Sequence, residues 1–467
     1  MTAIHAALRR SHRDEGMGIL EVVIAMAIFM IVALGVAYSA VSTLRLSSDS
    51  KNRVVATNLA ASEIDNARAN GDPLTLFANT RTVKIDGIDY TVARKVEWID
   101  STGTGTGCTG TGALQYKAVD VQVSWPGKLA MTKAVRSNTL IAPVTRINDP
   151  AFGTILVSVL GAAGTGIAGI PITVTQVSTG APVMMSDTDK DGCSYAFGVT
   201  PGKYAVTLKK DKYISDAQVV QPKSETFEVK AGSTVSRPFQ YDNQARFNLT
   251  MASNSTLTGR LYPSNLDTTF ISTYGIALFS TPVGGSNAAT VDAHPFTSGY
   301  TGFAGAFSLP KDATATTTAT FGCASPDPAS WTAGTTVSGV TVKAAERGAA
   351  AAALPGGNVA MNVPMGTVTF TYTGTKDRYL IAKSSAAATG SGIPDCADGL
   401  TYRFGTKLQN GTTYKVALPY GTWSLNVNTQ SNGGGTAAAL NDNLAGVGGL
   451  VNPPVKNTVT LDPRVAP

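Results

Sequence analysis

Charge is scarce in this chain. Only 15% of its 467 residues are charged, and the formal net charge is +6. So small an excess over this length makes no basic stripe, and nucleic-acid binding gets little support from it. Histidine is scarcer: there are 3, of which His5 and His12 lie near the start. The remaining one stands in Asp292-Ala293-His294-Pro295-Phe296, and a serine or cysteine triad would have to be built on it. A lone histidine beside a proline in a loop reads as structural. No phosphate loop, dinucleotide glycine motif or His-Glu-x-x-His occurs. An enzyme is therefore not expected, and no cofactor is expected. The 4 cysteines include no Cys-x-x-Cys, which argues against zinc or thioredoxin chemistry. Helix signals are few after residue 71, where glycine, alanine, serine and threonine abound. That composition suits an extracellular, strand-rich protein.

The N-terminus shows the opposite bias. Ile19 to Tyr38 is apolar except for Glu21. A run of about 20 apolar residues spans a hydrocarbon core of about 30 Å. Arg9, Arg10 and Arg13 precede it and no basic residue lies inside, which predicts a cytoplasmic leader with the bulk of the chain outside. An acid within such a helix costs roughly 2.5–3.5 kcal/mol on insertion scales and marks a function. Helical periodicity continues past the apolar run. Val41, Leu44, Val54, Val55, Leu59, Ala60, Ile64 and Ala67 recur at three- and four-residue steps among charged residues. Gly71-Asp72-Pro73 supplies a stop. The expectation is one helix over residues 17–70, on the order of 80 Å long at about 1.5 Å per residue.

The stretch Gly16-Met17-Gly18-Ile19-Leu20-Glu21 resembles the type IV prepilin signal, a glycine, a cut, and glutamate as fifth residue of the product. An ordinary secretory signal is cut after its apolar core. Here the cut between Gly16 and Met17 would precede the core and leave it on the mature chain. The resemblance implies removal of residues 1–16 by prepilin peptidase and N-methylation of Met17. It also gives Glu21 a partner, the N-terminal amine of a neighbouring subunit, consistent with a buried carboxylate needing a cation. Other pilins, the assembly machinery and the cytoplasmic membrane are the implied partners. The implied location is that membrane before assembly and an extracellular pilus afterwards. Gly35 reads as a small residue at a helix–helix contact.

Residues 80–142 alternate like an antiparallel sheet. Arg81–Ile85 and Tyr90–Trp98 flank an Asp86-Gly87 hairpin turn; Tyr116–Trp125 and Val135–Ile141 follow. A helix and then four strands resembles the head of minor pilins and secretion pseudopilins. A second region, 152–242, carries Gly169-Ile170-Pro171-Ile172-Thr173-Val174, an Asp187-x-Asp189-x-Asp191-Gly192 turn and Pro201-Gly202-Lys203-Tyr204 before a valine-rich strand. It looks like the prealbumin-type, carboxypeptidase regulatory-like or Cna B-type β-sandwich. Such modules often hold a Lys–Asn isopeptide bond. The strand Thr154–Val159 offers no lysine, so none is expected here. Residues 243–366 and 367–467 read as two more β modules, and Pro419-Tyr420-Gly421-Thr422-Trp423 echoes the Pro-Gly-x-Tyr strand.

The aspartate run matches the first half of an EF-hand loop, but Gly198 occupies the position of its bidentate glutamate. A hairpin turn is the expected use of Asp187, Asp189 and Asp191; a calcium site is the weaker alternative, and no metal is expected otherwise. Outside the cytoplasm the cysteines would pair. Cys323 with Cys396 is the preferred bridge because both lie in the C-terminal half, leaving Cys108 with Cys193. Tyr300, Phe303, Trp331, Tyr420 and Trp423 read as sandwich core, with a ligand surface as the alternative.

These readings define an α+β chain with a long pilin helix packed on an antiparallel sheet, residues 17–145, followed by several all-β sandwich modules of Ig or prealbumin-like kind. The functional expectation is a minor, tip-located subunit of a type IV pilus, presenting β modules for adhesion to a host or other surface, or for priming assembly. The alternatives are a pseudopilin of a type II secretion system, a DNA-uptake minor pilin and an enzyme tethered to a pilus.

Overall fold

The computed structural model describes residues 18–467 apart from 70–72, 101–107, 109–113, 127–131, 143–148, 284, 308–325, 337–338, 386–391, 395–399, 443, 447–449, 452–456 and 465–467. The chain forms two compact units, residues 1–99 with 115–145, and residues 100–114 with 146–467.

The first unit is the expected helix and sheet. Helix α1 runs Ile19–Ala69, 51 residues without a break. Four strands, β1 (Asn79–Ile85), β2 (Ile88–Asp100), β3 (Leu114–Pro126) and β4 (Thr132–Ile141), form one sheet in chain order. The β1–β2 turn takes Asp86 and Gly87 to φ 51° and 80°, the doubly left-handed geometry that Asp-Gly tolerates and a two-residue hairpin requires. On β3, Val119, Val121, Val123 and Trp125 are buried and the residues between them are not. This period of two sends one face inward. That face meets Ala56, Ala60, Ile64 and Ala67 of α1 in a single core. The alanines at 56, 60 and 67 let the helix backbone approach the sheet closely.

The second unit begins with a two-sheet sandwich. Its strands are β5 (Gly153–Leu160), β6 (Ile172–Gln176), β7 (Pro182–Val183), β8 (Cys193–Val199), β9 (Gly202–Leu208), β10 (Tyr213–Ser215), β11 (Phe227–Val229) and β12 (Thr234–Asn243). One sheet has the order β10-β12-β5-β8 and the other β11-β9-β6-β7. Ile155, Val157 and Val159 of β5 point into the core between them. Leu156, on the other face of β5, is covered by Cys108, Cys193 and Tyr195. A strand covered on both faces loses the in–out alternation, and β5 is buried from Gly153 through Val159.

From Ala245 onward most of the remaining strands contribute to one core that extends to Leu461. Ala245–Met251 pairs antiparallel with Ala288–Ala293 and parallel with Asn358–Val363. Asp267–Ser272 joins Gly275–Ser280 and Thr301–Ala304 in a second sheet. Gly366–Thr371 pairs with Thr413–Leu418, and the latter also takes Arg260–Leu261 as a parallel neighbour. Residues expected to form separate β modules at 243–366 and 367–467 thus share a sheet and a core. The largest C-terminal sheet has Arg378–Ser384 and Gly421–Asn428 at its centre. With one helix and many strands in several sheets, the fold is the α+β arrangement expected from the sequence.

Candidate functional site

The helix carries two different surfaces. Between Ile19 and Tyr38 it exposes nearly every large apolar side chain, and the most apolar window has nothing buried against it. It is long and apolar enough to cross a membrane. Glu21 lies in its first turn and is exposed. A carboxylate there interacts favourably with the partial positive charge of a helix N-terminus. Among the described residues it has no ion-pair partner. Gly16 and Met17, where the cut and methylation are expected, lie outside the described residues.

Further along, the polar stripe contains a residue whose role its spacing did not show. Glu63 is 4% exposed and faces the sheet. Its Oε1 accepts from Arg94 Nη1 at 2.8 Å and its Oε2 from Arg81 Nη2 at 3.1 Å. Arg94 Nε also donates to the Phe77 carbonyl at 3.0 Å. One buried carboxylate thus ties α1 to β1 and β2. Only the coincidence of an acid in register with Ala56, Ala60 and Ala67 hints at this in the sequence.

Cys108 and Cys193 form a disulfide across 85 residues, with Cα atoms 5.7 Å apart. Ser236 Oγ donates to the Cys108 carbonyl at 2.9 Å, so the backbone beside the bridge is also held. Cys323 and Cys396 lie outside the described residues. The aspartate run is a turn. Asp189 Oδ1 accepts from the amides of Asp191 and Cys193, at 3.0 and 2.9 Å, and Gly192 closes the turn at φ 78°. A Cβ on Gly192 would meet the Val159 carbonyl oxygen at 2.3 Å. Among the described residues no three acids, histidines or cysteines gather where they could hold a metal ion, so Asp187, Asp189 and Asp191 are not brought together as ligands.

The echoed Pro-Gly-x-aromatic strands share a device. Tyr204 Oη donates to the Thr200 carbonyl at 2.7 Å, and Trp423 Nε1 donates to the Pro419 carbonyl at 2.8 Å. In each case a buried ring reaches back four residues across the turn that starts its strand. Tyr300, Trp331, Tyr420 and Trp423 are buried in the C-terminal core, and Phe303 is buried with its ring 6.0 Å from that of Phe307. His294 is fully buried, its ring 4.6 Å from that of Phe296, and neither ring nitrogen has a hydrogen-bond partner. Burial pushes its pKa below the ordinary value of 6.5, against the opposing pull of Asp242 and Asp216. The ring is packed among aromatic side chains of the core.

One aromatic that the sequence did not single out is exposed. Tyr274 occupies a two-residue hairpin tip, 60% exposed, with its ring stacked on that of Phe296 at 4.1 Å and 7°. It borders a cleft of about 430 Å³ lined also by Asp216, Gln218, Ser272 and Tyr300.

No protein-family model matches the chain. No curated protein matches it either. Among solved structures, the chain is similar to the Bacillus anthracis TIE protein at 11% identity, covering 80% of this chain and 72% of that one with a TM-score of 0.19. It is similar to BcpA, the major pilin subunit of Bacillus cereus, at 13% identity, covering 63% and 95% with a TM-score of 0.20. A streptococcal ancillary pilin aligns at 10% identity over 43% and 69%, with a TM-score of 0.18. Superpositions this loose carry no weight for function.

Proposed function

We propose that this chain is a large modular minor pilin of a type IV pilus, assembled through α1 and presenting its β modules at the filament tip for adhesion or for priming assembly. The observation that carries this reading is the division of α1. Its first half is an unbroken apolar surface with one acid in the opening turn, and its second half is packed into a four-stranded sheet. An exposed apolar surface of that size in a folded chain calls for lipid or for other subunits. A helix bundle in a filament core satisfies the same surface after it leaves the membrane. The resemblance of Gly16–Glu21 to a prepilin signal supplies the polarity, with the leader inside and the head outside. The head is a geometric argument for the tip, because its several β modules would crowd neighbours if every subunit along a shaft carried them.

The test is direct. Filaments sheared from cells are labelled with gold against a C-terminal tag, and the mature chain's N-terminus is read by mass spectrometry. The expected result is label at filament ends and an N-terminus at methylated Met17. Label spread evenly along the shaft sinks the tip placement. An N-terminus elsewhere sinks the prepilin reading itself, and a chain absent from surface filaments but required for protein secretion would favour the pseudopilin alternative.

A further inference from the structure

The cleft beside Tyr274 has the attributes of a small-ligand site. Its volume of about 430 Å³ falls within the range of about 300–1,000 Å³ typical of such sites. It lies at the junction of two modules. Asp216 and Gln218 come from the loop after β10 of the sandwich, and Ser272, Tyr274, Phe296 and Tyr300 come from the region that follows. Junctions between domains are common positions for ligand sites.

The walls are fixed before any ligand arrives. Gln218 holds a left-handed backbone at φ 61°, a strained conformation for a residue with a side chain. Its Oε1 accepts from the His294 amide at 3.0 Å, and its Nε2 donates to Tyr300 Oη at 3.0 Å and to the Asp216 carbonyl at 3.1 Å. Tyr300 Oη in turn donates to the His294 carbonyl at 2.8 Å. These groups are committed to one another and form a rigid back wall. Asp216 and Tyr274 line the cleft as exposed side chains, and beside them the Ser272 hydroxyl donates to the Gly275 carbonyl at 3.4 Å. Tyr274 is fixed as well: its amide donates to Ser272 Oγ at 3.1 Å and its ring lies flat on buried Phe296.

This combination selects a class of ligand. A flat, exposed aromatic face attracts the weakly positive C–H edge of a saturated ring, because the face of an aromatic ring is its negative pole. A carboxylate and a hydroxyl beside it are acceptors and donors for hydroxyl groups. No lysine or arginine lines the cleft, and Asp216 repels anions. We propose that this cleft binds a neutral pyranose sugar, one hydrophobic ring face stacking on Tyr274 and ring hydroxyls bonding to Asp216 and Ser272. The inference rests on the adhesive reading above and gives it a ligand class. The same charge argument disfavours sialylated and sulfated glycans at this cleft.

The test uses the full mature chain in detergent and an array of methyl glycosides of neutral hexoses and N-acetylhexosamines, with sialylated and sulfated sugars beside them. The expected result is binding to at least one neutral sugar. Tyr274→Ala should weaken it by about tenfold or more, as loss of an aromatic stacking partner does, while Tyr274→Phe stays within about threefold. Asp216→Asn should weaken it too, and Leu354→Ala, exposed and outside the cleft, should leave it unchanged. Both cleft substitutions are at exposed positions, and an unaltered thermal transition separates lost binding from lost folding. Binding to no neutral sugar, binding only to anionic glycans, or binding untouched by Tyr274→Ala would overturn the proposal. Gold labelling of filaments made with Tyr274→Ala keeps the two readings apart. Normal tip labelling without sugar binding leaves the pilin reading standing alone. Sugar binding by a chain that never enters filaments does the reverse.

Discussion

The first half of α1 and the C-terminal head treat apolar side chains in opposite ways. Between Ile19 and Val54, large apolar residues point outward almost without exception. From Ala245 onward they are gathered into one core, and Tyr274, Leu278, Val340 and Leu354 are the large ones left exposed among the described residues. An exposed leucine is ordinary in the head and informative in the helix only through its neighbours, because a contiguous apolar surface needs a partner and a scattered one does not. The polar groups invert the same way. In the helix the informative residue is an exposed acid, Glu21. In the head the informative ones are buried: the Asp462–Arg464 pair, for instance, is fully enclosed, with Arg464 Nη1 also donating to the Thr332 carbonyl at 2.9 Å. On the proposed reading, assembly chemistry sits where apolar surface is outside, and fold-determining chemistry sits where it is inside.

The largest effect should come from removing the acid on the outward surface. Glu21→Val makes the membrane helix cheaper to insert, so the chain should still reach the membrane in normal amounts. Its recovery in sheared filaments should nonetheless fall by tenfold or more, since no carboxylate then meets a neighbour's amine. Immunoblots of membrane and filament fractions measure both quantities. Equal recovery in filaments would remove Glu21 as an assembly group and blur the contrast between the two regions.

Glu63 tests the point at which the helix changes from one regime to the other. Glu63→Ala leaves the Arg94 guanidinium, 16% exposed, without its carboxylate, while Arg81, 42% exposed, turns to water; the loss should fall at the low end of the range for a broken buried pair, about 3 kcal/mol. Urea denaturation of the first unit's transition should show that loss, with Glu63→Gln losing less. A change under about 1 kcal/mol would mean that the alanine stripe alone holds the helix. Next in size is the bridge between Cys108 and Cys193. Opening a loop of 85 residues should cost about 2–4 kcal/mol, mostly by freeing the unfolded chain. Comparing the denaturation of the second unit in oxidised protein and in the Cys108→Ala, Cys193→Ala double variant measures it.

How far the sequence discloses these features depends on whether they are local. The helix ends, read as 17–70 and observed as Ile19–Ala69, follow from periodicity and a stop signal within one stretch of chain. The Asp86-Gly87 hairpin follows from two residues. The sandwich strands β5, β6 and β9 lie on stretches read as strands, and β8 follows directly on the aspartate turn. What escaped is non-local. Arg260–Leu261 joins Thr413–Leu418 across a separation that no periodicity records, and this is what merges two expected modules. Glu63 looks like any acid on a solvated helix face until Arg81 and Arg94 are placed opposite it. Tyr274 has nothing in its neighbours to distinguish it from the buried Tyr300, because exposure at a hairpin tip is set by how Phe296 packs beneath it. The helix could be read because its pattern repeats within one stretch of chain. The head could not, because its partners are distant parts of the same chain.

A smaller effect isolates the reach-back bond shared by the two modules. Tyr204→Phe keeps the ring and removes its donor to the Thr200 carbonyl, so the sandwich should lose about 1 kcal/mol, the usual net worth of such a bond. A loss of that size without a change in denaturant slope supports a local corner; no loss would make the tyrosine a packing element only.

The smallest effect, and the one that most directly inverts Glu21, comes from His294. The imidazole is enclosed and burial lowers its pKa from 6.5, so the folded head resists a proton that the unfolded chain accepts readily. The sign follows from proton counting. Where the unfolded state binds more protons, stability rises with pH. The contribution of a neutral His294 is therefore complete above about pH 6.5 and is lost as the pH falls below that value toward the lower folded-state pKa, beneath which it changes no further. Asp242 and Asp216 moderate the loss by favouring the proton. Urea denaturation of the second unit at intervals from pH 7.5 to 4.5, in the native chain and in His294→Gln, separates this residue from the many carboxylates that titrate over the same range. The difference between the two stabilities should shrink or change sign on the acid side. A difference that stays flat with pH would mean that His294 takes up its proton in the fold as easily as outside it, and that the interior of the head is less closed to charge than its contrast with the assembly helix requires.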